Sequence, residues 1–434
     1  MKAEDFNEIF LFLTFNALIY SFNLYVRDDI VYNKTLKMTK SHQNQSNQED
    51  VSYVSLIGNT PMIELKKLSK LIKRKVLLKM ESMNPGGTGK DRAAKAMIHA
   101  AMSSNQLYKG IPVVEGTSGS TGIALACICQ AYGYQLHVVI PDDQADEKKN
   151  ILEGLGAKVK IVPNCAISNE NHYVNQARKL ASSINGVFIN QFENLANFNI
   201  HYSETGPEIL NQAPNMNAFV MSAGTGGTIA GVSCYLKEKS KNRKQYQTQN
   251  QQYQFKQTHK TMNNDNNNGN NNNSNAIRVV LADPEGSSLF NRVMYGICYT
   301  PQQAERSIRR HRYDTIVEGV GLDRVTKNFD KSCIDYAIRV SDQSVIEWAH
   351  WILKNEGLFI GSSTALNIAA AVEVAINMEE GAIVVTIGCD NGQRHLSRFW
   401  NKNYVSKYNL KWPRCGGEGD NDSVIPEILR SFYK

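Results

Sequence analysis

One lysine stands where an amine can meet a ligand. In the stretch Asn84–Ala93 (NPGGTGKDRA), Lys90 lies between a turn holding Pro85, Gly86, Gly87 and Gly89 and a run of small helix formers. Glycine and proline break regular elements, and a helix over Asp91–Met102 is expected to follow at once. An amine at such a helix start sits where the backbone lets a ligand approach closely. It can then form an imine with a carbonyl compound. A solvated surface lysine is the ordinary alternative for any single lysine.

Three further turns bear on that choice. Gly224-Thr225-Gly226-Gly227-Thr228 follows an apolar run and opens a helix. Its amides and the helix dipole suit a phosphate. The same turn read alone is also an ordinary tight connection, and its spacing differs from the dinucleotide fingerprint. Thr117-Ser118-Gly119-Ser120-Thr121 offers hydroxyls and amides at another helix start, which suit a carboxylate, although Ser and Thr there also act as plain caps. Ser362-Ser363-Thr364 precedes a third helix, where a hydroxyl can meet a neutral ring nitrogen or again only cap the helix. A reactive lysine, a phosphate cup, a carboxylate loop and a hydroxyl partner together describe a pyridoxal phosphate site, with the cofactor as electron sink.

Elements of an α/β fold must position these turns. Short apolar runs at Val76–Met80, Pro112–Glu115, Leu136–Ile140, Val159–Val162, Val187–Asn190, Ala218–Ser222, Ile277–Ala282, Ile338–Val340 and Ala382–Thr386 read as strands. Between them lie amphipathic stretches at Asp91–Met102, Ile123–Ala131, Asp146–Leu155, Tyr173–Ile184, Ile229–Lys237, Asp342–Glu356 and Ala365–Met378. Strands alternating with helices predict parallel sheets covered by helices on both faces.

Length and composition bound the rest. The chain has 434 residues, with 42% hydrophobic and 21% charged, so it can bury a sizeable core. A net charge of +7, without a dense basic block, argues against a nucleic-acid role. The eight cysteines are scattered and show no Cys-x-x-Cys pair, which predicts a reducing compartment, no disulfide framework and no metal site. Residues 9–26 are apolar and uncharged, preceded by Glu4, Asp5 and Glu8 and followed by Arg27, Lys34, Lys37 and Lys40. That length reaches the minimum for a bilayer span, and the charge order would leave the downstream chain in the cytosol. The segment is a membrane anchor, an amphipathic or buried helix, or a removed targeting segment. Residues 27–50 read as a flexible linker, and 241–275, rich in Gln and Asn, as a disordered insertion.

From about Val51 to Trp400 the chain resembles the cysteine synthase and cystathionine beta-synthase family of fold-type-II pyridoxal phosphate enzymes. The matching stretches are Ile57–Pro61, Asn84–Arg92, Thr117–Gly122, Asn190–Asn194, Thr205–Glu208, Gly224–Thr228 and Val317–Gly321. The resemblance implies a tryptophan-synthase-beta-like fold of two subdomains, each a mostly parallel sheet flanked by helices. The catalytic domain is then 51–405, with a smaller mobile subdomain at about 94–190 and a tail at 406–434. It implies that Lys90 carries the cofactor as a Schiff base. Gly224, Thr225, Gly226, Gly227 and Thr228 bind the phosphate, Ser363 meets the pyridine nitrogen, and Thr117, Ser118, Thr121 and Gln191 hold the substrate carboxylate. Ser120 stands where the family usually has Asn against the cofactor ring hydroxyl, and Gly89 replaces a larger apolar residue.

The implied reaction is beta-replacement: O-acetylserine and sulfide give cysteine and acetate through an aminoacrylate. The alternatives are a cysteine or serine lyase, a cystathionine beta-synthase-like activity, or a catalytically weak, membrane-tethered cofactor binder. The apolar N-terminal run and the Ser120 loop look most like the fungal "cysteine synthase 2" branch. That implies a homodimer and a single-pass protein of the mitochondrial outer membrane with its catalytic domain in the cytosol, or else a cytoplasmic or mitochondrial protein.

Overall fold

The computed structural model describes residues 52–240, 276–299, 315–413 and 425–433. The apolar run 9–26, the linker 27–50 and the Gln/Asn-rich tract 241–275 lie outside the described residues. Among the described residues no helix is long and apolar enough to cross a membrane.

Two parallel-rich sheets carry the fold. The chain enters through β1 (Met62–Glu64), α1 (Lys66–Ile72) and β2 (Lys75–Lys79), then passes through α2 (Lys90–Ser103) into the smaller lobe. That lobe runs β3 (Val113–Gly116), α3 (Ser120–Tyr132), β4 (Leu136–Pro141), α4 (Asp146–Gly154), β5 (Lys158–Val162), α5 (Tyr173–Ser183) and β6 (Val187–Phe188). Its four strands are all parallel, in the order β5-β4-β3-β6. The chain returns through α6 (Ala196–Ile200), a π-helical turn (His201–Thr205), α7 (Gly206–Gln212), β7 (Ala218–Ser222) and a helix, α8, over 227–240. It continues with β8 (Arg278–Pro284), α9 (Leu289–Tyr295), β9 (Tyr336–Val340), α10 (Asp342–Glu356), α11 (Ser362–Ile376), β10 (Ile383–Ile387) and α12 (Lys402–Ser406). The larger sheet has the order β1-β2-β10-β7-β8-β9, with only β1 antiparallel to its neighbour.

Strand composition explains this layering. β7 (AFVMS) is buried along its whole length, as expected of a parallel strand covered on both faces. Leu78, Val220, Val280 and Val384 face one core with Trp348 and Leu366. Phe219, Leu281 and Ile387 face the other with Ile229 and Phe329. α11 is apolar almost all round and lies buried between the sheet and α10. Its small residues Ala369, Ala370, Ala371 and Ala375 permit the close approach, so enlarging Ala370 would overpack the core at a cost of about 1–3 kcal/mol.

Element boundaries depart from the sequence reading where side-chain chemistry gave no signal. α3 starts at Ser120 and α11 at Ser362, so the hydroxyls of Ser120, Thr121, Ser362, Ser363 and Thr364 are inside the first turns, while Thr117 and Ser118 precede α3. The strand expected over Val187–Asn190 stops at Phe188, and Asn190 takes a left-handed φ of 59°. Asn tolerates that conformation better than most residues, and here it redirects the chain at Gln191. The Lys90, Thr117–Thr121, Gln191 and Gly224–Thr228 segments each follow the carboxyl end of a strand, where α/β sheets hold ligands, whereas Ser363 follows the loop between α10 and α11.

Candidate active site

The loop after β2 fixes the lysine. Gly86 N–H donates to Asp91 Oδ2 at 2.8 Å, and a Cβ on Gly86 would strike that carboxylate. Gly87 adopts φ +74°, and Gly89 N–H donates to the Cys389 carbonyl at 3.2 Å. A Cβ on Gly89 would stand 3.3 Å from Glu81 Cβ, so the glycine lets the turn pack tightly here. Lys90 is the first residue of α2 and opens onto a cavity of about 330 Å3.

Two residues on, Arg92 anchors the helix. Its guanidinium is fully buried and bonds both carboxylate oxygens of Glu81 at 2.8 Å and both of Glu208 at 2.6 and 2.7 Å. Lys79 Nζ adds a 2.6 Å contact to Glu208 Oε2. Burial pushes the Glu208 carboxyl up, but Arg92 and Lys79 outweigh it and hold it down at about 2. This network joins β2, α2 and α7 beneath the lysine.

The glycine turn after β7 forms the next wall. Gly224, Thr225, Gly226 and Thr228 line the cavity, while Gly227 is turned away against Asn197. Gly226 has φ +84°, and a Cβ there would meet Phe329 Cβ at 2.5 Å. Asn197 Nδ2 donates to Thr225 Oγ1 at 2.9 Å, and Thr326 Oγ1 donates to the Thr225 carbonyl at 2.7 Å. Thr228 Oγ1 lies 3.1 Å from His201 Nε2, whose Nδ1 is 2.9 Å from Thr205 Oγ1. Burial, then Arg92 and Lys90, drive the His201 pKa far down, so the imidazole is neutral.

The turn after β3 faces them from the smaller lobe. Ser118, Ser120, Thr121 and Gln191 line the cavity; Thr117 is buried behind them and its Oγ1 accepts from Gly119 N–H at 3.1 Å. Thr121 Oγ1 bonds Gln191 Oε1 at 2.6 Å, and Gln191 Nε2 donates to the Gly116 carbonyl at 3.0 Å. Ser363 also lines the cavity, next to Cys389, whose thiol burial pushes up to about 11 against the pull of the Lys90 ammonium.

The structure therefore brings Lys90, Ser118, Ser120, Thr121, Gln191, Gly224, Thr225, Gly226, Thr228 and Ser363 to one cavity, and leaves Thr117 and Gly227 behind its walls. Sequence reasoning missed His201, Cys389, Asp390, Glu318 and Arg324. Of these only Glu318 lay in a stretch already singled out, Val317–Gly321. The donor set fits pyridoxal phosphate: an amine for its aldehyde, amides and hydroxyls at the α8 start for its phosphate, and a hydroxyl for its ring nitrogen. Among the described residues no group of His, Cys, Asp or Glu side chains could hold a metal ion.

Comparisons agree with this chemistry. Residues 54–390 match the family described as "Pyridoxal-phosphate dependent enzyme". A Saccharomyces cerevisiae protein named "Putative mitochondrial cysteine synthase" is 43% identical over 80% of this chain and 83% of its own length. "Cysteine synthase 2" of Schizosaccharomyces pombe is 40% identical over 82% of this chain and 85% of its own. Among solved structures, O-ureido-L-serine synthase superposes with a TM-score of 0.65 at 26% identity, covering 86% of this chain and 97% of that one. The O-acetylserine dependent cystathionine beta-synthase of Helicobacter pylori gives 0.64 at 26% identity, covering 81% and 99%.

Proposed function

The chain belongs to the pyridoxal-phosphate dependent enzyme family, and within it we propose that it is a cysteine synthase-like beta-replacement enzyme. The observation that carries the reading is the meeting of Lys90, the Gly224–Thr228 turn, Ser363 and the Ser118–Thr121 turn around one cavity. The name cysteine synthase borne by these relatives supports cysteine as the product, and the reaction proposed is that of O-acetylserine and sulfide to give cysteine and acetate.

When bound, pyridoxal phosphate supplies an aldehyde for an amine and a ring that draws off the electron pair left on a substrate carbon. Lys90 would hold the cofactor, and its Nζ would be the group to take the substrate Cα proton and later return one. Gly224, Thr225, Gly226 and Thr228 would hold the phosphate, with Gly227 completing the turn from behind the cavity wall and His201 fixing the Thr228 hydroxyl. Ser363 would hydrogen-bond the ring nitrogen, and Ser120 would meet the ring hydroxyl; both line the cavity.

Thr117, Ser118, Thr121 and Gln191 hold the substrate carboxylate, but not in the same way. Gln191 must turn Nε2 toward the Gly116 carbonyl, so its Oε1 faces Thr121 and accepts a hydrogen bond from that hydroxyl. Thr121 therefore orients Gln191, and the direct donors are the turn amides, the Ser118 hydroxyl and the second Nε2 proton. Residues 51–405 form the catalytic domain in this reading, and the lobe of about 94–190 closes to exclude water.

The test is turnover by the purified holoenzyme with O-acetylserine and sulfide. Cysteine formation that vanishes in Lys90→Ala supports the proposal. Pyruvate release without cysteine formation replaces it with a lyase, and retained cofactor without turnover replaces it with a binding protein. We further propose a homodimer, anchored in the mitochondrial outer membrane through residues 9–26 with the catalytic domain in the cytosol. The mitochondrial name of one relative and the uncharged apolar run support this. Light scattering tests the dimer, and carbonate extraction with protease access tests the membrane placement.

A further inference from the structure

A second ionic cluster lies at the cavity edge, and it joins the two lobes. Lys148 belongs to α4 of the smaller lobe, and its ammonium pairs with Glu318 of the larger body. The side chains are 2% and 7% exposed, so the pair is inside the protein. Glu318 Oε2 lies 3.2 Å from His395 Nδ1, and Arg398 Nε lies 3.5 Å from Glu318 Oε1. His395 Nε2 lies 3.1 Å from Asp390 Oδ2. Glu318 N–H also donates to Ser362 Oγ at 3.1 Å, one residue before Ser363. A neighbouring contact repeats the theme: Ser397 Oγ donates to Glu147 Oε2 at 2.7 Å and accepts from Asp146 N–H at 3.3 Å.

The stem of Lys148 has a separate task. Gly119 holds φ +123° at the centre of the Thr117–Thr121 turn, and a Cβ on it would meet Lys148 Cδ at 2.6 Å and Cβ at 3.1 Å. The lysine methylenes thus lie flat on the backbone of that turn. One side chain braces the turn with its stem and reaches across to the opposite lobe with its head.

Such an arrangement does more than stabilise. A fully buried ion pair recovers little net energy beyond its desolvation cost, so it is a poor device for stability alone. It is a good device for fixing one geometry, because the charged head has a single place to go. We propose that Lys148 and Glu318 are positioning residues that hold the Thr117–Thr121 turn in its substrate-binding shape by tying the smaller lobe to the larger. Glu318 also lines the cavity, while Lys148 stands behind the turn. The inference rests on the reading of that turn as the substrate carboxylate site.

Two measurements on the holoenzyme test it. The first is hydrogen exchange at the amides of residues 117–121 and of α4, with and without L-serine as probe. The second is KM against kcat for O-acetylserine. Lys148→Met and Glu318→Gln should each raise exchange in the turn and raise KM about tenfold, as expected for directly coupled residues, with a smaller change in kcat. The double variant should be no worse than the worse single variant, and Lys148→Arg, which keeps the cation, should stay near the parent. Glu318→Gln keeps side-chain volume and carries the test if Lys148→Met does not fold. Unchanged turn exchange with unchanged KM in Glu318→Gln, or simple additivity in the double variant, overturns the proposal. Exchange needs no turnover, so a parent inactive on O-acetylserine would refute the assigned reaction and leave this inference judged on exchange alone.

Discussion

Thr121 Oγ1 donates to Gln191 Oε1 across 2.6 Å, linking a helix start in the smaller lobe to the residue where the chain leaves that lobe. Both residues are buried, at 2% and 4% exposure, and meet at the wall of the cavity.

Thr121→Val keeps the shape but leaves Gln191 Oε1 without its donor. An orphaned buried polar group costs about 1–3 kcal/mol, or roughly 5- to 150-fold in affinity if it falls on substrate binding. The expected result is a KM for O-acetylserine raised within that range while cofactor content, read by absorbance, stays at the parent level.

Gly226→Ala should act on the cofactor instead. Its φ of +84° disfavours any side chain, and Phe329 occupies the place a Cβ would take. The strain alone is worth about 1–3 kcal/mol. Equilibrium dialysis against free pyridoxal phosphate should show weaker retention, and the gap in melting temperature between cofactor-loaded and cofactor-free protein should narrow.

Glu208→Gln should destabilise the whole fold. Arg92 and Lys79 would keep their charges in a buried site with one carboxylate fewer, and breaking a buried pair from one side costs about 3–5 kcal/mol. Because Glu208 is held down at about 2, its contribution is present above the ordinary carboxylate range and is lost as pH falls through about 2. Urea unfolding at neutral pH should show the loss, and acid titration of the variant should lack that limb.

His395 sets a pH dependence of the opposite sign. Burial opposes its charge, yet Asp390 and Glu318 outweigh burial and lift it to about 9. Lys148, Arg394 and Arg398 are the cations acting on the same carboxylates. A raised histidine contributes stability that is complete below about 6.5 and disappears as pH rises through about 9. Melting temperature followed from pH 6 to 10 should fall through that window in the parent and fall less in His395→Asn.

Local chemistry made half of the site legible in the sequence. Gly86, Gly87 and Gly89 around Lys90, and the glycines of the 224–228 turn, announce themselves because each turn needs several unusual residues close together. The fold class followed from apolar runs alternating with amphipathic ones. The Lys148–Glu318–His395–Asp390 cluster carried no such signal. Lys148, Glu318 and the Asp390–His395 pair are far apart in the chain, and only the tertiary fold brings them within reach. Asn190 shows the same limit at small scale. Its residue type permits a left-handed turn, but a β-rich neighbourhood reads as continuing strand. His201 was hidden for another reason, since a π-helical turn presents it to Thr228 and no simple periodicity marks such a turn.

Gln191 has one more property. Its backbone carbonyl accepts from Asn197 Nδ2 and from Asn328 Nδ2, both at 3.0 Å, and both donors come from the larger body. The amide plane is pinned on one side while the side chain reaches into the lobe on the other. A swing of that lobe would therefore have a fulcrum at residue 191, with the Ser118–Thr121 rim as the short arm of the lever. Small rotations there would become small, well-directed displacements at the ligand, and residues farther out on the lobe could drift over evolutionary time with little effect on aim.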